Sequence, residues 1–218
     1  MPSIALLRED NARQGFFEHV DFEKVVTQLP EPINDIARFG YLSGWRRGEI
    51  VPLRWDAVDR NAREVRLRTS KNGVGRVLSL HGELWSLIER RWAARIVEQE
   101  DGTTKISELV FHREGEAVVD FRNAWNEAFK AAKIGRRLFH DLRRTAVRNM
   151  IRASVPQSVA MAISGHKTVS MFMRYNITSD ADKVEALRKT AEHLASKPKS
   201  EQEHANITEM PEREAARS

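Results

Sequence analysis

The sequence has no cysteine among its 218 residues. That absence excludes disulfide bonds, thiolate catalysis and zinc sites built on cysteine. No apolar run approaches the roughly 20 residues that a membrane-spanning helix needs. The N-terminal segment MPSIALLREDNARQ also lacks the long apolar core of a signal peptide. We therefore expect a cytoplasmic protein that makes no contact with a membrane.

The sequence has no strong excess of basic over acidic residues. The chain has 36 Lys and Arg against 31 Asp and Glu, which gives a formal net charge of +5. This small positive excess is compatible with a polyanionic partner but does not by itself establish one. The length suffices for one sizeable domain with its own core and a polar tail.

Hydrophobic periodicity predicts mainly helices, and the notable exception is one pair of strands. Residues 64–68 and 76–80 alternate as strands do, and Asn72-Gly73 between them is a strong hairpin signal. Asp21 has the chemistry of an N-cap for a first helix. Other segments predict further helices or, at residues 109–111, a short strand; the helical ones are residues 32–41, 82–99, 119–133 and 180–194. The pattern indicates an α+β fold.

The most informative stretch runs from residue 138 to residue 175. His140 and Arg143 are three residues apart, so they share one face of a helix. His166 follows a Ser-Gly turn signal, and Tyr175 lies nine residues further on. A cationic pocket beside a single phenol suits phosphate chemistry above other tasks.

Two upstream segments add further cations. The turn at Gly44 places Arg46 near the start of a helical turn, with Glu49 three residues later on the same face. Lys71 sits at the tip of the predicted hairpin. Each of these has an ordinary structural explanation when taken alone, namely an ion pair for Arg46 and a solvated lysine for Lys71.

Together these residues cover the duties of a tyrosine that attacks a phosphodiester. The phenol is a weak nucleophile while it is protonated, with a pKa of about 10. Negative charge that develops on the phosphoryl oxygens is best held by the planar, bidentate guanidinium of arginine. A lysine can be tuned by its surroundings to donate a proton to the leaving oxygen. With these cations, no metal and no cofactor are needed.

The same residues resemble the motifs of the tyrosine recombinases, the phage integrase family. GWRRGE at residues 44–49 is similar to the first arginine box of the family, and SKNG at residues 70–73 to its hairpin lysine. HDLR at residues 140–143, GHK at residues 165–167 and RY at residues 174–175 resemble its remaining boxes, in the same order. The resemblance implies a mostly helical, integrase-like catalytic domain with a small antiparallel three-stranded sheet.

The resemblance also implies a path for each group and proton in the reaction. Tyr175 attacks the scissile phosphate and forms a 3′-phosphotyrosyl link, which leaves a free 5′-hydroxyl. His140 helps to accept the proton of the tyrosine. Lys71 protonates the departing 5′-oxygen. Because the covalent link keeps the bond energy, strand exchange is expected without ATP.

Further roles follow for the residues that surround the phosphate. Arg46 and Arg143 are expected to clamp the non-bridging oxygens, and His166 to hydrogen-bond the phosphate. Glu49 is expected to orient Arg46 rather than to take part in the chemistry.

Several neighbouring residues compete for these roles. Arg47 and Arg144 are the rival arginines of their pairs, and we expect both, together with Lys167, to contact DNA. Lys105 and Lys167 are the alternative candidates for the lysine role that is assigned to Lys71. Tyr41 is the only other tyrosine, and it falls in an apolar helix stripe that indicates a core position.

The organisation expected from the resemblance has three parts. Residues 1–15 form a lead-in, residues 16–195 form the catalytic domain, and residues 196–218 form a polar, disordered tail. A helical DNA-clamping domain usually precedes the catalytic domain in this family, and we expect it to be absent here, so that the chain is either a catalytic fragment or a naturally minimal protein. We therefore expect weaker and less site-selective DNA binding than in a full recombinase. Double-stranded DNA is the expected partner, with a monomer in solution and a tetramer on DNA.

The leading interpretation is a site-specific DNA recombinase or integrase, and two alternatives stay open. A type IB topoisomerase shares the chemistry but relaxes supercoils as a single subunit. A helix-turn-helix DNA-binding regulator would use residues 155–175, and this leaves Arg46, Lys71 and His140 without a role.

Overall fold

The computed structural model describes residues 15–67, 75–173 and 180–196. The chain divides into two compact units. The first unit carries all described elements up to residue 173, and the second carries one described helix. Lys71 and Tyr175 lie outside the described residues, as does most of the segment expected to form a polar tail.

Helices make up most of the described part of the first unit. In chain order they are α1 (His19–Val26), α2 (Ile33–Ser43), α3 (Arg47–Ile50), α4 (Glu83–Ala93), α5 (Arg122–Ala132), α6 (His140–Arg152), α7 (Gln157–Ser164) and α8 (Val169–Met173). A short 3-10 helix, Trp55–Ala57, follows α3. The described helix of the second unit is α9 (Asp180–Ala195).

The predicted small antiparallel sheet is confirmed. It has three strands in the order β1 (Val58–Asp59), β2 (Glu64–Leu67) and β3 (Arg76–Ser79). Val65 pairs with Leu78 in the centre of the sheet, and both residues are buried. Two small hairpins that the sequence did not indicate come later, namely β4 (Ile96–Glu98) with β5 (Thr104–Ile106) and β6 (His112–Arg113) with β7 (Glu116–Ala117).

Three predicted elements differ in their bounds. The helix expected over residues 82–99 ends at Ala93, because the β-branched residues Ile96 and Val97 pair with β5 instead. The strand expected at residues 109–111 is only an isolated bridge between Arg54 and Leu109. Asp21 does not cap α1, which begins two residues earlier at His19 with Glu18 as its N-cap residue.

An aromatic cluster joins the helices that carry the site to the rest of the core. Phe17 is fully buried, with its ring centroid 6.4 Å from that of Trp125 and 5.9 Å from that of Phe129. Phe139, which immediately precedes α6, lies 5.4 Å from Trp125 and 5.6 Å from Phe121. The predicted core role of the aromatic residues of α5 is confirmed. The start of α6 is thereby held against α5.

Gly44 allows two helix ends to approach each other closely. It ends α2 in the left-handed conformation, with φ = 69°. A Cβ atom at this position would lie 3.2 Å from the Cβ of Ala146 on α6 and 3.4 Å from the Cβ of Ser164 on α7. The chain therefore turns at Gly44 and enters α3 beside α6 and α7.

Alanine substitutions at two glycines are expected to change stability in opposite directions. Gly44→Ala should lower the free energy of unfolding by about 1–3 kcal/mol, since it combines a left-handed backbone with close neighbours. Gly48→Ala should raise it by about 0.4–1 kcal/mol, because Gly48 lies within α3 and a Cβ there meets nothing within 4 Å. Urea unfolding, monitored by tryptophan fluorescence, measures the free energy of unfolding of both variants. Equal effects of the two substitutions would contradict this account of the turn.

Candidate active site

The first arginine of the site is placed by the junction of α2 and α3. Arg46 is the N-cap residue of α3, in an extended conformation directly after the turn at Gly44. Its backbone N–H donates to Glu49 Oε2 at 2.8 Å, and its Nη1 donates to Glu49 Oε1 at 3.1 Å. The expectation that Glu49 orients Arg46 thus has a direct geometric basis, although it remains a prediction about function.

The second arginine, Arg143, is buried in the first turn of α6 with 2 % of its surface exposed. Its Nη1 donates to the carbonyl oxygen of Gly44 at 2.6 Å and also to that of Ser164. Both carbonyls belong to helix ends, where such groups need partners outside their own helix. Arg143 therefore joins the segment before Arg46 to the segment before His166.

His166 follows a left-handed turn at Gly165, which has φ = 73°. Its Nδ1 lies 2.8 Å from the hydroxyl of Ser164, and that hydroxyl donates to the carbonyl of Ala160 at 2.6 Å. A hydroxyl has one proton to donate, so Nδ1 of His166 acts as the donor in its own bond with Ser164. The ring of Phe172 packs edge-on against the imidazole at 5.5 Å.

The imidazole of His166 is neutral in the free protein at neutral pH. Burial, followed by the nearby charges of Arg143 and Arg46, lowers its pKa to about 3. With its proton on Nδ1, the ring presents a lone pair at Nε2. An anion bound beside these arginines would offset the positive charges that now oppose protonation of Nε2.

His140 is the first residue of α6 and is exposed. Arg46, His140 and Arg143 line the same cleft, which has a volume of about 290 Å³. Although the side chain reaches solvent, surrounding protein atoms partly desolvate its imidazole. This desolvation is the main reason why the pKa of His140 is lowered, and the charge of Arg143 is the second. A neutral imidazole can accept a proton, as the predicted role of His140 requires.

The carboxylate of Glu49 binds a second arginine as well, one that sequence reasoning missed. Arg76, at the start of β3, donates from Nη2 to Glu49 Oε2 at 2.6 Å and from Nη1 to Oε1 at 3.3 Å. Burial alone would raise the pKa of Glu49, but the hydrogen bonds of Arg76 and of the Arg46 backbone hold it below its ordinary value. The alternation of residues 76–80 predicted the strand, yet nothing in it indicated the partner of Arg76.

The three residues expected to contact DNA have different surroundings. Arg47 is 41 % exposed at its side chain, lies over the ring of Phe121 at 4.6 Å and donates to the carbonyl of Val119. Lys167 is exposed and lines a second cavity, of about 500 Å³, together with Arg76 and His166. Arg144 is only 7 % exposed, so it offers little surface to DNA.

The structure thus brings Arg46, Glu49, His140, Arg143 and His166 into one connected group. Positions 71 and 175, which are outside the described residues, are not placed. Tyr41, assigned to the core from the sequence, is buried and stacked on Phe22 at 3.8 Å. Within the described ranges, no cluster of three or more His, Asp or Glu side chains could hold a metal ion.

Comparison with known proteins decides the family. A profile of the phage integrase family matches residues 20–182, which is more than half of the chain. The chain belongs to this family. The matched region contains all six residues predicted for catalysis.

Two curated relatives have a related sequence over part of their length. The integrase of Salmonella phage P22 is 24 % identical over 182 residues, which cover 80 % of this chain and 46 % of that protein. A shufflon-specific DNA recombinase of Escherichia coli is 28 % identical over 131 residues, covering 60 % of this chain and 30 % of that protein. The chain therefore spans less than half the length of these two relatives.

Solved structures of low sequence identity share the integrase-like fold. The XerA recombinase superposes with a TM-score of 0.66 at 16 % identity, covering 81 % of this chain and 63 % of that one. The integrase of transposon Tn1549, solved with transposon right end DNA, superposes with a TM-score of 0.65 at 15 % identity, covering 87 % of this chain and 69 % of that one. The catalytic domain of bacteriophage HP1 integrase superposes with a TM-score of 0.57 at 18 % identity, covering 81 % of this chain and 95 % of that one. The predicted fold class is confirmed.

The described helices of this phage integrase family member include none long and apolar enough to cross a membrane.

The neutral state of His166 predicts how stability depends on pH. Its pKa in the folded protein, about 3, is below the ordinary value of about 6.5, so below pH 6.5 the unfolded chain takes up a proton that the folded protein does not. Stability is therefore lost as the pH falls from 6.5 toward 3. His166→Gln should remove about 2 kcal/mol of the loss between pH 7 and pH 5, as measured by urea unfolding at both pH values.

His193→Gln, which changes an exposed histidine of α9, serves as the control and should keep the pH dependence of the unsubstituted protein. If His166→Gln had the same pH dependence as this control, a proton on His166 in the folded state would be indicated instead.

Proposed function

We propose that this chain is a site-specific DNA recombinase that cleaves and rejoins DNA strands through a 3′-phosphotyrosine intermediate. The catalytic unit is assigned to residues 16–195, flanked by residues 1–15 and a polar tail at residues 196–218. Support comes from membership of the phage integrase family and from relatives with recombinase and integrase functions.

The observation that carries the proposal is the position of Arg143. It donates to carbonyl groups just before Arg46 and just before His166, and it lines the cleft with Arg46 and His140. Residues far apart in the sequence, which the proposed chemistry needs at one phosphate, are thereby held by one buried side chain. A protein that only binds DNA would not require this arrangement.

In the proposed reaction the arginines receive the negative charge of the phosphate. Arg46 and Arg143 clamp the non-bridging oxygens, whose charge increases as the tyrosine attacks. His166 is neutral in the free protein, and the bound phosphate raises the pKa of its imidazole by offsetting the arginine charges. Nε2 then takes up a proton and donates a hydrogen bond to the phosphate.

The proton path uses one base and one acid. The oxygen of Tyr175 forms a bond to phosphorus while the bond from phosphorus to the 5′-oxygen breaks. His140 accepts the phenolic proton, and Lys71 donates a proton to the leaving 5′-oxygen. The position of Tyr175 in the chain supports this role, since it comes three residues after Phe172, which packs on His166. Rejoining reverses the same steps, so the reaction uses no cofactor.

The proposed partner is double-stranded DNA, contacted along its backbone by Arg47 and Lys167. Exchange between two duplexes breaks four strands, and each chain supplies one nucleophile. Four copies are therefore proposed to assemble on DNA, from a protein that is a monomer in solution and acts in the cytoplasm. The structure of the Tn1549 integrase with DNA supports duplex DNA as the substrate class.

The nucleophile is tested with nicked suicide substrates drawn from a randomised pool of duplexes, incubated in chelator and separated on a denaturing gel. A covalent protein–DNA adduct should form with the unsubstituted protein and be absent with Tyr175→Phe, which lacks the attacking oxygen. Tyr41→Phe is the matched control. It removes the only other phenol, which is buried and bonded to His19 and Asn149, and it should keep the adduct.

An adduct that persists with Tyr175→Phe would contradict the assigned nucleophile. Absence of any adduct despite measurable DNA binding would favour the helix-turn-helix regulator. Relaxation of plain supercoiled plasmid by the monomer, with dependence on Tyr175, would identify a type IB topoisomerase instead.

A second variant tests the phosphate clamp. Arg46→Lys keeps the charge but loses the planar pair of donors, so the rate of adduct formation at saturating DNA should fall by about 10²–10³-fold. DNA affinity should change much less. Arg54→Lys, at an exposed arginine paired with Glu108, is the control for a charge-preserving change outside the cleft. Equal rates for the two variants would contradict the role of Arg46.

A further inference from the structure

The side chain of Arg76 lies between parts of the site and is largely covered, although the residue belongs to the sheet. Its side chain is 10 % exposed, and that of Glu49 is 11 % exposed. Both terminal nitrogens of Arg76 face the carboxylate of Glu49. The same carboxylate accepts the backbone N–H and Nη1 of Arg46. Glu49 therefore bridges two arginines, one lining the cleft and the other on β3.

The Arg76 guanidinium makes a second contact, with an aromatic ring. Its Cζ lies 4.6 Å from the ring centroid of Trp45, which is almost fully buried. The indole N–H of Trp45 donates to the carbonyl of Ile163 at 3.1 Å, near the end of α7. Arg76 is thus stacked on a ring that is itself fixed to the helix leading to His166.

The other side of Arg76 meets the turn at Gly165. A Cβ atom on Gly165 would lie 2.0 Å from Nη1 and 2.7 Å from Cζ of Arg76. A side chain here would displace the guanidinium from its present position, and the turn also has φ = 73°, which favours glycine. Arg76 fills the space directly before His166.

We propose that Arg76 is a positioning residue, which sets the distance between Arg46 and His166 by linking Glu49 to the Gly165 turn. This inference rests on the proposed function, because it assigns Arg76 a part in aligning the groups around the phosphate. Arg76 is itself the first residue of β3. One side chain on the sheet therefore contacts both Glu49, which holds Arg46, and the turn that precedes His166.

The geometry of the contact requires arginine rather than any cation. Arginine offers a rigid, planar fork that bonds both carboxylate oxygens while its face stacks on an aromatic ring. The ammonium of lysine is a point charge that cannot do both. Arg76→Lys therefore keeps the charge near His166 but loses the alignment.

The test compares Arg76→Lys with Arg60→Lys. Arg60 makes the same type of contact elsewhere, with two nitrogens on Glu89 at 2.9–3.0 Å and its Cζ 4.4 Å from the ring of Trp92. The substrate is the DNA sequence that the unsubstituted protein captures from the randomised nicked pool. Single-turnover rates of adduct formation at saturating DNA and dissociation constants for DNA are measured for both variants.

Arg76→Lys should lower the single-turnover rate by about 10–100-fold, the scale expected when reacting groups are misplaced by about 1 Å. Its dissociation constant for DNA should stay within about threefold, because the net charge is unchanged. Arg60→Lys should leave both values unchanged. A rate for Arg76→Lys within twofold of the unsubstituted protein would overturn the inference, and so would an equal loss with Arg60→Lys.

A double-mutant cycle provides a second route that does not depend on the stability of one variant. Gly165→Ala should lower the adduct rate strongly in the presence of Arg76, since the new methyl group collides with the guanidinium. In the Arg76→Ala background the same change should cost much less, because the space is empty. Additive effects of the two substitutions would overturn the proposed contact.

The inference and the proposed function can fail separately. If the unsubstituted protein forms no adduct, the proposed function fails. The positioning of His166 by Arg76 is then tested in the free protein, without DNA. The side-chain resonances of His166, followed by NMR, should shift in Arg76→Lys, whereas those of His112 should not. Unchanged His166 resonances in this charge-preserving variant would overturn the positioning role.

Discussion

The buried guanidinium of Arg143 is the constraint on which the site depends. A charge is costly to remove from water unless its donors find acceptors. Here the acceptors are the carbonyl groups of Gly44 and Ser164. Both stand at helix ends, where the backbone lacks partners of its own. The same bonds that make the buried cation tolerable therefore fix the position of the segments that carry Arg46 and His166.

The other interactions of the site follow from this concentration of positive charge. Burial, together with the charges of Arg143, Arg46 and Arg76, lowers the pKa of His166, which stays neutral. Glu49 balances two of the arginines and is itself held in the ionised form. Such a site is prepared for an anion, because its donors are already oriented before the anion arrives and little reorganisation is needed on binding.

Local patterns predicted the elements well where neighbouring residues decide the structure. Alternation identified β2 and β3, and Gly44 and Gly165 were read correctly as turns. The prediction was wrong where a distant segment decides, as at residues 94–99. Those residues continue a helical pattern, yet residues 96–98 pair with β5. A similar limit applies to Asp21, because the start of α1 depends on the preceding chain, where Phe17 N–H is bound to Thr145 on α6.

The sequence by itself determined the family and the residue types that are predicted for the site. The order and spacing of Arg46, Lys71, His140, Arg143, His166 and Tyr175 were sufficient to predict the family, since motif spacing is a property of the chain. Only the tertiary structure decided that the buried Arg143 joins two helix ends. The same is true of the contact of Arg76 with Glu49, the carboxylate that also binds Arg46. The physical reason is that the partners of Arg143 and Arg76 are backbone carbonyls, a carboxylate, an indole ring and the space at a glycine. These partners come from segments distant in the chain, and their meeting depends on how the helices and the sheet pack.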